Sequence, residues 1–377
     1  MNIAIDGYEA NVPNRVGIGR YAYEILIHMY EELAGKNGGG HVVRVYLPDA
    51  PLEDMPAAMP WWQYHVRGPK RLWTWIGLPL AILMDQPRAD VIFSPTHYVP
   101  RFIPHPKVMA IMDVSYLHYP EMFRARDLHQ LVHWTAYSVA HVKRVMTISK
   151  YSKRAIMQGY SVPGASVVVA YPGLPGHATH MASQSSKTAA GKPYILSVGT
   201  IQPRKNYVRL MEAFKDSLSK LEKQFPGVTL RIVGKKGWLW EDIVAAPKKL
   251  GIEDRVELLD FVADKDLPAL YENALFLVTP SLYEGFGLPV LEAMAHGSLV
   301  VVSDVSSLPE IAGDAGMYVD PQDTKSIAAG LLKAAAAYGT PAGEKLVALG
   351  KKQVAKFSWQ KAAQQTLAVL EEAGGKK

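Results

Sequence analysis

The segment SLYEGFGLPVLEAMAHG, residues Ser281 to Gly297, constrains the fold more than any other part of the chain. It follows an apolar run, residues 274–279, that is typical of a buried strand. After a glycine turn, Leu288 and Pro289 begin a predicted helix, because proline suits the first helical position. Gly297 stands where the C-terminal cap of that helix is expected. The segment therefore predicts a strand, a glycine loop and a helix N-terminus, an arrangement that binds anions, most often phosphate.

Two glutamates flank this predicted anion site. Glu284 lies in the loop, and Glu292 lies about one turn into the helix. Carboxylate oxygens accept hydrogen bonds from sugar hydroxyls. A ligand that carries both phosphate and sugar, such as a nucleotide sugar, fits this pattern. A helix-capping turn with surface glutamates is the alternative interpretation, since short motifs carry a real false-positive risk.

Apolar runs alternate with helical patterns along the whole chain, which predicts an α/β fold with parallel, doubly wound sheets. A length of 377 residues favours two domains. The boundary is placed in a stretch rich in Gly, Ala, Ser and Thr, so that the domains are 1–176 and 193–357 with a linker at 177–192. Predicted strands fall at 2–6, 42–47, 91–94, 107–112, 145–149, 167–170, 194–198, 230–233, 256–258, 274–279 and 300–303.

Composition excludes several classes of protein. Hydrophobic residues make up 49% of the chain and charged residues 20%, as in an ordinary globular protein. The absence of cysteine excludes disulfides and thiolate metal sites. The N-terminus lacks a signal-peptide pattern and no apolar run approaches about 20 residues, so a cytoplasmic protein is expected. A net charge of +6 favours anionic ligands or an anionic membrane surface, and is too small to argue for nucleic acid.

A stretch rich in tryptophan and basic residues precedes the apolar sequence IGLPLAILM. Such interleaving suits a membrane interface. A buried helix with a basic edge is the favoured alternative, because Pro79 interrupts the apolar stripe. The stretch contains Trp61, Trp62, Arg67, Lys70, Arg71, Trp73 and Trp75.

Polar residues follow two predicted strands of the first half, His97 after one and Asp113 after the other. Ligands gather at the carboxyl ends of strands in open α/β sheets, so both residues are site candidates. A loop histidine with ordinary hydrogen bonds is the alternative for His97. Gly17 and Gly19 precede the first helix, where backbone can approach a phosphate or a sugar. They lack the third glycine of a dinucleotide fingerprint, and a plain strand-to-helix connection is the alternative.

Two further groups, one of cations and one of histidines, have the side chains that ligand sites use. Arg204 and Lys205 follow a predicted strand and its glycine turn, where cations are well placed to neutralise phosphate. Cations are disfavoured at the start of a helix, which argues against a merely solvated pair. His129 and His133 have a metal-ligand spacing on a predicted helix, but the sequence offers no third ligand, so no metal site is expected.

At this point the chain resembles the family 4 (group 1) retaining glycosyltransferases, which have the GT-B architecture of two facing Rossmann-like domains. The similarity covers nearly the whole chain and is most specific in the second half. It is carried there by VGTIQPRKN, VGKKGWLWE, the opening segment, SSLPEIAGDAGMYVDP and the final FSW helix. GIGRYA, FSPTHYVP and DVSYLHYPE match more loosely in the first half.

The resemblance implies roles for individual residues. Glu284 would bind hydroxyls of the donor sugar, and Glu292 would bind the ribose. Arg204 and Lys205 would stabilise the departing diphosphate without a metal. The C-terminal helix, 358–377, would cross back to the first domain. The catalytic candidates are Arg204, Lys205, Glu284 and Asp113; the donor-side candidates are Gly17, Gly19, Gly199, Gly234, Phe261, Val262, Gly285, Phe286, Gly287, Leu288 and Glu292; the acceptor-side candidate is His97.

The implied activity is transfer of a hexose, with mannose from GDP-mannose as the expected example, to a glycan or lipid-linked acceptor at the cytoplasmic membrane face. No metal, other cofactor or nucleic acid is expected. The family usually has His-Asp where this chain has Met112 and Asp113, and Met can neither donate a hydrogen bond nor carry charge. The alternatives are therefore a non-catalytic or impaired nucleotide-sugar-binding protein, or another GT-B enzyme such as an epimerase or a phosphorylase.

Overall fold

The computed structural model describes residues 1–15, 17–176 and 192–375, and within it the chain forms two compact units. Unit 1 comprises Met1–His118, Ala125–Gly173 and Ser358–Lys377. Unit 2 comprises Tyr119–Arg124 and Leu174–Phe357. The predicted linker, 177–192, lies outside the described residues except for its last residue.

Unit 1 contains a seven-stranded sheet of order β3-β2-β1-β4-β5-β6-β7, and every neighbouring pair is parallel. The order reverses between β1 and β4, as in a doubly wound sheet. The strands are β1 (Asn2–Asp6), β2 (Val42–Leu47), β3 (Trp62–Val66), β4 (Val91–Ser94), β5 (Lys107–Ile111), β6 (Arg144–Thr147) and β7 (Val167–Val169). The helices are α1 (Ile18–Ala34), α2 (Leu78–Met84), α3 (Ser115–His118), α4 (Ala125–Ala140), α5 (Lys150–Tyr160) and α13 (Trp359–Gly374).

The strand β3 was missed at the sequence level. Its sequence WQYHV lacks a continuous apolar run, because β3 lies at the edge of the sheet and its middle residues are only half-buried. The tryptophan-rich stretch therefore divides into this edge strand, a loop, a π-helical turn at Trp73–Gly77 and the helix α2. The single helix favoured for the stretch is wrong.

Unit 2 contains a six-stranded parallel sheet of order β10-β9-β8-β11-β12-β13. The strands are β8 (Tyr194–Val198), β9 (Thr229–Val233), β10 (Val256–Leu259), β11 (Phe276–Thr279), β12 (Leu299–Ser303) and β13 (Gly316–Val319). The helices are α6 (Tyr207–Gln224), α7 (Glu241–Leu250), α8 (Leu267–Asn273), α9 (Leu288–Ala295), α10 (Leu308–Ala312), α11 (Thr324–Ala337) and α12 (Pro341–Val354). The predicted fold class, two doubly wound parallel-sheet domains, is confirmed.

Two segments leave the unit that their sequence neighbours form. Tyr119–Arg124 belongs to unit 2, where the ring of Phe123 stacks on Trp238 with centroids 5.4 Å apart. The C-terminal helix α13 belongs to unit 1. It buries Trp359 and Leu370, and its Glu371 lies 2.9 Å from Nε2 of His41. The predicted return of the C-terminal helix to the first domain is confirmed.

Candidate functional site

The loop between β11 and α9 places Glu284 in a buried ion pair. Lys205 Nζ donates to Glu284 Oε1 at 2.6 Å, and Ser281 Oγ donates to the same oxygen at 2.7 Å. Glu284 is 6% exposed and Lys205 is 9% exposed, so the pair is shielded from water. The alternative of a solvent-exposed glutamate at this position is wrong.

Arg204 joins the same cluster from the loop that follows β8. Its Nη1 donates to the backbone oxygen of Tyr283 at 2.6 Å and lies 3.3 Å from Glu284 Oε2. The backbone oxygen of Arg204 accepts in turn from Leu282 N at 2.9 Å. The loop carrying both cations and the loop carrying Glu284 are therefore bonded through main chain and side chains.

The charges in this cluster decide the protonation of Glu284. Burial alone raises the pKa of Glu284, but the positive charges of Lys205 and Arg204, together with hydrogen bonds from Lys205 and Ser281, more than offset it. The net effect is a lowered pKa, so Glu284 is a carboxylate near neutral pH. Two cations and one carboxylate leave the cluster with one net positive charge, which suits an anionic ligand.

The predicted glycine turn and helix start are present next to this cluster. Gly287 has φ +111°, and a Cβ there would lie 2.8 Å from a methyl group of Leu308, so both conformation and space favour glycine. The Ser307 hydroxyl lies 2.8 Å from the backbone oxygens of both Glu284 and Phe286, which share its one proton, and this contact fixes the loop Gly285–Gly287. The helix α9 then begins at Leu288, as predicted. Pro289 has no N–H, and Val290 N and Leu291 N bond the Gly287 oxygen at 2.9 Å and 3.3 Å, so within the first four residues of α9 the Leu288 N–H, with the positive end of the helix dipole, is what this end offers to an anion.

The second glutamate of the segment, Glu292, is buried in α9 with a different partner. Tyr271 OH donates to Glu292 Oε2 at 2.6 Å. The Tyr271 ring is stacked on His296 with centroids 5.9 Å apart, and Ser298 Oγ bonds the Tyr271 backbone oxygen. The carboxylate of Glu292 is therefore oriented by a tyrosine whose own position is fixed. No motif in the sequence pointed to Tyr271, because it lies on α8, 21 residues before its partner.

The glycine turns after β8 and β9 pack directly against each other. A Cβ on Gly234 would lie 2.1 Å from the backbone oxygen of Gly199, a distance that real Cβ atoms do not reach. Gly199 in turn approaches the Lys205 side chain, whose Nζ would lie 3.0 Å from a Cβ at that position. The two predicted donor-side glycines are thus required by close packing beside the Glu284 cluster.

The predicted base-side residues follow β10. Phe261 is 41% exposed, and Lys235 Nζ lies 4.5 Å from the centroid of its ring. Val262 is half-buried beside it. An exposed aromatic ring with a cation above it offers a surface on which a planar base can stack.

The remaining candidates lie in unit 1. Gly17 caps the N-terminus of α1 with φ +54°, and a Cβ on Gly19 would lie 3.1 Å from the backbone oxygen of Glu9. Asp113 follows β5, and its Oδ1 accepts from Ser115 N at 2.8 Å, which caps the short helix α3. The two glycines and Asp113 belong to a different unit from the Glu284 cluster.

His97 is buried and contacts the backbone of the residue that departs from the family pattern. Met112 N donates to His97 Nε2 at 3.3 Å, so Nε2 is the acceptor and the proton lies on Nδ1. Burial lowers the pKa of His97, although the charge of Asp113 partly opposes this effect. His97 is therefore a neutral imidazole near neutral pH. The Met112 side chain is itself buried, 8% exposed, among the apolar residues of unit 1.

Asp6 is a titratable group that sequence reasoning missed. It ends β1 at the point where the strand order reverses, and its Oδ1 accepts from Trp73 Nε1 at 2.9 Å. Burial raises the pKa of Asp6 to about 6, although the hydrogen bonds from Trp73 and Tyr8 N partly offset this effect. The sequence could have indicated Asp6, because a lone carboxylate at the end of an apolar run is the pattern by which Asp113 was identified as a candidate.

Among residues 1–15, 17–176 and 192–375, no group of three or more His, Asp or Glu side chains is placed to hold a metal ion. His129 and His133 lie close together, with ring centroids 4.3 Å apart, and have no third ligand in that part of the chain.

Comparison with known proteins identifies relatives of the chain. A family model described as glycosyl transferases group 1 matches residues 181–352. The O-antigen chain mannosyltransferase B of Escherichia coli is 32% identical over 74% of this chain and 73% of its own length. The O-antigen chain mannosyltransferase RfbU of Salmonella typhimurium is 26% identical over 66% of both chains.

Solved structures show the same fold at low sequence identity. A glycosyltransferase involved in lipopolysaccharide biosynthesis, WaaG, superposes with a TM-score of 0.72 at 18% identity, covering 98% of this chain and 99% of its own. Anabaena Alr3699/HepE in complex with UDP-glucose gives a TM-score of 0.69 at 18% identity, covering 99% and 100%. These similarities show the GT-B fold alone.

Proposed function

Because the chain belongs to the group 1 glycosyl transferases, we propose that it transfers a hexosyl group from a nucleoside-diphosphate sugar to a growing glycan or lipid-linked acceptor. GDP-mannose is the proposed donor and mannose the proposed transferred sugar. Relatives named O-antigen mannosyltransferases support this proposal. The proposal also includes retention of the anomeric configuration, membership of family 4 and a cytoplasmic location. These three parts rest on the sequence.

The single observation that carries the proposal is the buried cluster of Glu284, Lys205 and Arg204. Departure of a nucleoside diphosphate develops negative charge, and fixed cations directed at that charge lower the barrier. Lys205 has three N–H donors and Arg204 has five, so both retain donors for phosphate while they bond Glu284. The N–H of Leu288 at the start of α9 adds a neutral donor beside the cluster. In this proposal the two cations do the work that a metal does in other transferases.

Glu284 and Glu292 give the proposed site its preference for a sugar. Both are buried carboxylates whose orientations are fixed, Glu284 by Lys205 and Glu292 by Tyr271. Each carboxylate retains acceptor capacity beyond the bonds described, because two oxygens offer about four lone pairs. In the proposal Glu284 accepts from hydroxyls of the donor sugar and Glu292 from the ribose. Asp113 is proposed to be a catalytic residue and His97 to act on the acceptor side.

The test is calorimetric titration of the protein with GDP, UDP, ADP and their common sugar conjugates. Wild-type protein is expected to bind one nucleotide family tightly, and Arg204→Ala/Lys205→Ala to bind it at least about 100-fold more weakly, since charge-assisted bonds contribute about 1.5–3 kcal/mol each. Arg204→Lys keeps a positive charge beside Glu284 and is expected to lose about tenfold. Lys351→Ala/Lys352→Ala, a pair of exposed cations on α12, is the control and is expected to bind as wild type.

A transfer assay separates the proposal from its alternatives. The enzyme is expected to use GDP-mannose in the presence of EDTA and to give a product with the anomeric configuration of the donor sugar. That result supports a metal-independent retaining enzyme. Tight nucleotide binding without transfer to any acceptor favours the non-catalytic alternative suggested by Met112, and activity gained by Met112→His would strengthen it. Absence of nucleotide binding contradicts the proposal.

A further inference from the structure

Six planar side chains form a continuous row in unit 1, where three segments of the chain meet. These segments are the loop after β4, the π-helical turn before α2, and the helix α4 with the residue that follows it. This planar row consists, in order, of Tyr98, Trp134, Trp75, Arg101, Tyr137 and His141. His141 is exposed and the other five are half-buried, whereas a ring that only fills the core, such as Trp62, is buried. The planar row is therefore part of the surface of unit 1.

Arg101 lies in the middle of the planar row, with its guanidinium held between two rings. Its Cζ lies 3.9 Å from the ring centroid of Trp75 and 4.0 Å from that of Tyr137. Arg15 and Arg231 also stack on tyrosine rings, but each of them bonds a carboxylate as well. No hydrogen-bond acceptor for the Arg101 side chain is present among the residues that the structure describes. The two rings therefore fix the plane of the guanidinium and leave its N–H edge available to a ligand.

The two ends of the planar row have different neighbours. At one end the ring centroid of Tyr98 lies 5.5 Å from that of Trp134 and 6.4 Å from that of His97, the proposed acceptor-side residue. At the other end His141 stacks on Tyr137, with ring centroids 4.0 Å apart. His141 Nδ1 donates to the backbone oxygen of Tyr137 at 2.7 Å, so a neutral ring keeps Nε2 as an acceptor for a ligand. The planar row therefore leads from His97 to an exposed imidazole.

A sugar chain fits a surface of this kind. The face of an aromatic ring is electron-rich and attracts positively polarised C–H bonds, as it attracts the edge of another ring. A pyranose has such C–H bonds on its ring faces and hydroxyls around its rim. Those hydroxyls can accept from Arg101 and donate to His141. Nucleic acid fits less well, because the planar row has one permanent cation and nucleic-acid binding depends on several phosphate contacts.

We propose that the planar row binds the glycan chain of the acceptor, with successive pyranose rings along it and the reacting end toward His97. This inference rests on the proposed transfer to a glycan. It specifies that the acceptor is a chain of several sugars rather than a single lipid-linked sugar. Contacts to the distal sugars hold the chain in unit 1 and raise the effective concentration of its reacting end. All six residues belong to unit 1, so binding of the glycan chain needs no nucleotide.

The experiment is calorimetric titration of the purified full-length chain, without nucleotide, with three sugars. The probes are α-linked mannohexaose, maltohexaose and mannose. Wild type is expected to bind at least one hexasaccharide at least about tenfold more tightly than mannose, because several linked sugars contact the planar row at once.

Two variants change the middle and the exposed end of the planar row. Arg101→Lys keeps the positive charge but removes the planar fork, and is expected to weaken hexasaccharide binding at least about tenfold. His141→Ala changes an exposed side chain that the fold does not need, and is expected to weaken binding about threefold. Arg231→Lys makes the first change at a stacked arginine of unit 2 and is the control, expected to bind as wild type. Thermal unfolding shows whether each variant is folded.

The outcomes decide whether the planar row binds a glycan. Weaker hexasaccharide binding in both row variants, with the control unchanged, supports the proposal. Failure of wild type to bind either hexasaccharide, or equal loss in the control, overturns it. Tight binding of an oligothymidylate without binding of a hexasaccharide shows a nucleic-acid surface and also overturns it.

Nucleotide titration of the same samples separates this inference from the proposed donor site. Nucleotide binding without hexasaccharide binding overturns the glycan proposal alone. Hexasaccharide binding that depends on Arg101, without binding of any nucleotide, supports the planar row as a glycan site and contradicts the donor site.

Discussion

Burial raises the pKa of Glu284 and the neighbouring positive charges lower it. The charges of Lys205 and Arg204 prevail, so the net pKa is lowered. At Asp6 the pKa is raised instead, because its hydrogen bonds alone do not offset the effect of burial. Both residues follow a strand of a parallel sheet, but only Glu284 has cations within bonding distance. The contrast shows that position at a strand end does not fix protonation, which depends on the neighbours that tertiary packing supplies.

Asp6→Asn is expected to change how stability depends on pH. A folded pKa of about 6, above the ordinary value of 3.8 for aspartate, means that the folded state holds the proton more tightly than the unfolded state. The wild type therefore loses stability as pH rises through about 4 to 6, by roughly 3 kcal/mol for a shift of about two units. Asn keeps the acceptor for Trp73 and removes the charge, so the variant should lack this loss.

Hydrogen exchange at the amides of β1, from about pH 4 to pH 7, measures this difference. The wild type and Asp6→Asn should be closest at the acid end, with the variant gaining relative stability toward neutral pH. A difference that does not vary with pH would show that Asp6 is not the group that titrates.

Tyr271→Phe is expected to release Glu292. The variant removes the bond from Tyr271 OH to Glu292 Oε2 and leaves a buried carboxylate short of a donor. A hydrogen bond to a charged group contributes about 1.5–3 kcal/mol, so stability should fall by that amount. If Glu292 binds ribose, the preference for a ribonucleotide over its 2′- and 3′-deoxy analogues should fall about tenfold.

Calorimetry with the three nucleotides measures that preference. Tyr194→Phe removes a bond of similar length, from Tyr194 OH to the backbone oxygen of Leu270, and serves as the control. Unchanged discrimination in Tyr271→Phe, together with the expected loss of stability, would show that the Tyr271–Glu292 bond has a structural role and does not serve ribose binding.

At the level of elements, the carboxyl ends of β8 and β9 approach more closely than any side chain allows. Gly199 N bonds Val233 O at 2.9 Å, and Gly234 N bonds Leu259 O at 3.1 Å, so the two turns continue the ladder of the sheet. The Lys205 side chain lies directly against Gly199. Close packing of these two turns therefore helps to position the loop that carries Arg204 and Lys205.

Gly234→Ala is expected to lower stability by at least about 3 kcal/mol, through strain at φ +156° and a clash with the Gly199 oxygen. Gly251→Ala is the control, because Gly251 also has positive φ, at +67°, but faces open space. That variant should cost about 1 kcal/mol. The loss of stability in each variant is measured by denaturant unfolding and by amide hydrogen exchange in β9. Equal costs would show that strain alone, without the close approach, makes Gly234 necessary.

At the level of the whole molecule, chain connectivity and compact units do not coincide. The helix α13 belongs to unit 1, where Gln364 donates to Glu32 of α1 and Glu371 lies 2.9 Å from His41, which precedes β2. Its buried side includes Trp359, Leu367 and Leu370. Unit 1 therefore includes a helix that is separated in sequence from its strands by the whole of unit 2.

Deletion of residues 358–377 is expected to destabilise unit 1 and to spare unit 2. Each fully buried large apolar side chain contributes about 1.5–3 kcal/mol, so loss of the buried side of α13 should speed amide exchange in β1 by at least about 100-fold. Amides of β8 should be unaffected. Gln360→Ala/Lys361→Ala, on the exposed side of α13, is the control. Equal loss of protection in β1 and β8 would show that the helix supports both units.

The sequence by itself determined the fold class and most of the strands. Runs such as those of β1, β4 and β8 were predicted with their observed ends, because strands buried on both faces of a parallel sheet are continuously apolar. The start of α9 at Leu288 was also predicted, since proline and glycine act locally. Local patterns fail where an edge strand is only partly buried, which is why β3 and β13 were both missed.

Only the tertiary structure decided which charged groups meet. Lys205 and Glu284 are 79 residues apart in sequence, and no local pattern requires that they pair; they meet because β8 and β11 are neighbours in the sheet. The same holds for Tyr271 with Glu292, and for Trp73 with Asp6, 67 residues apart. Propensity and periodicity report what each residue prefers nearby, whereas protonation and orientation depend on partners brought together by the sheet order.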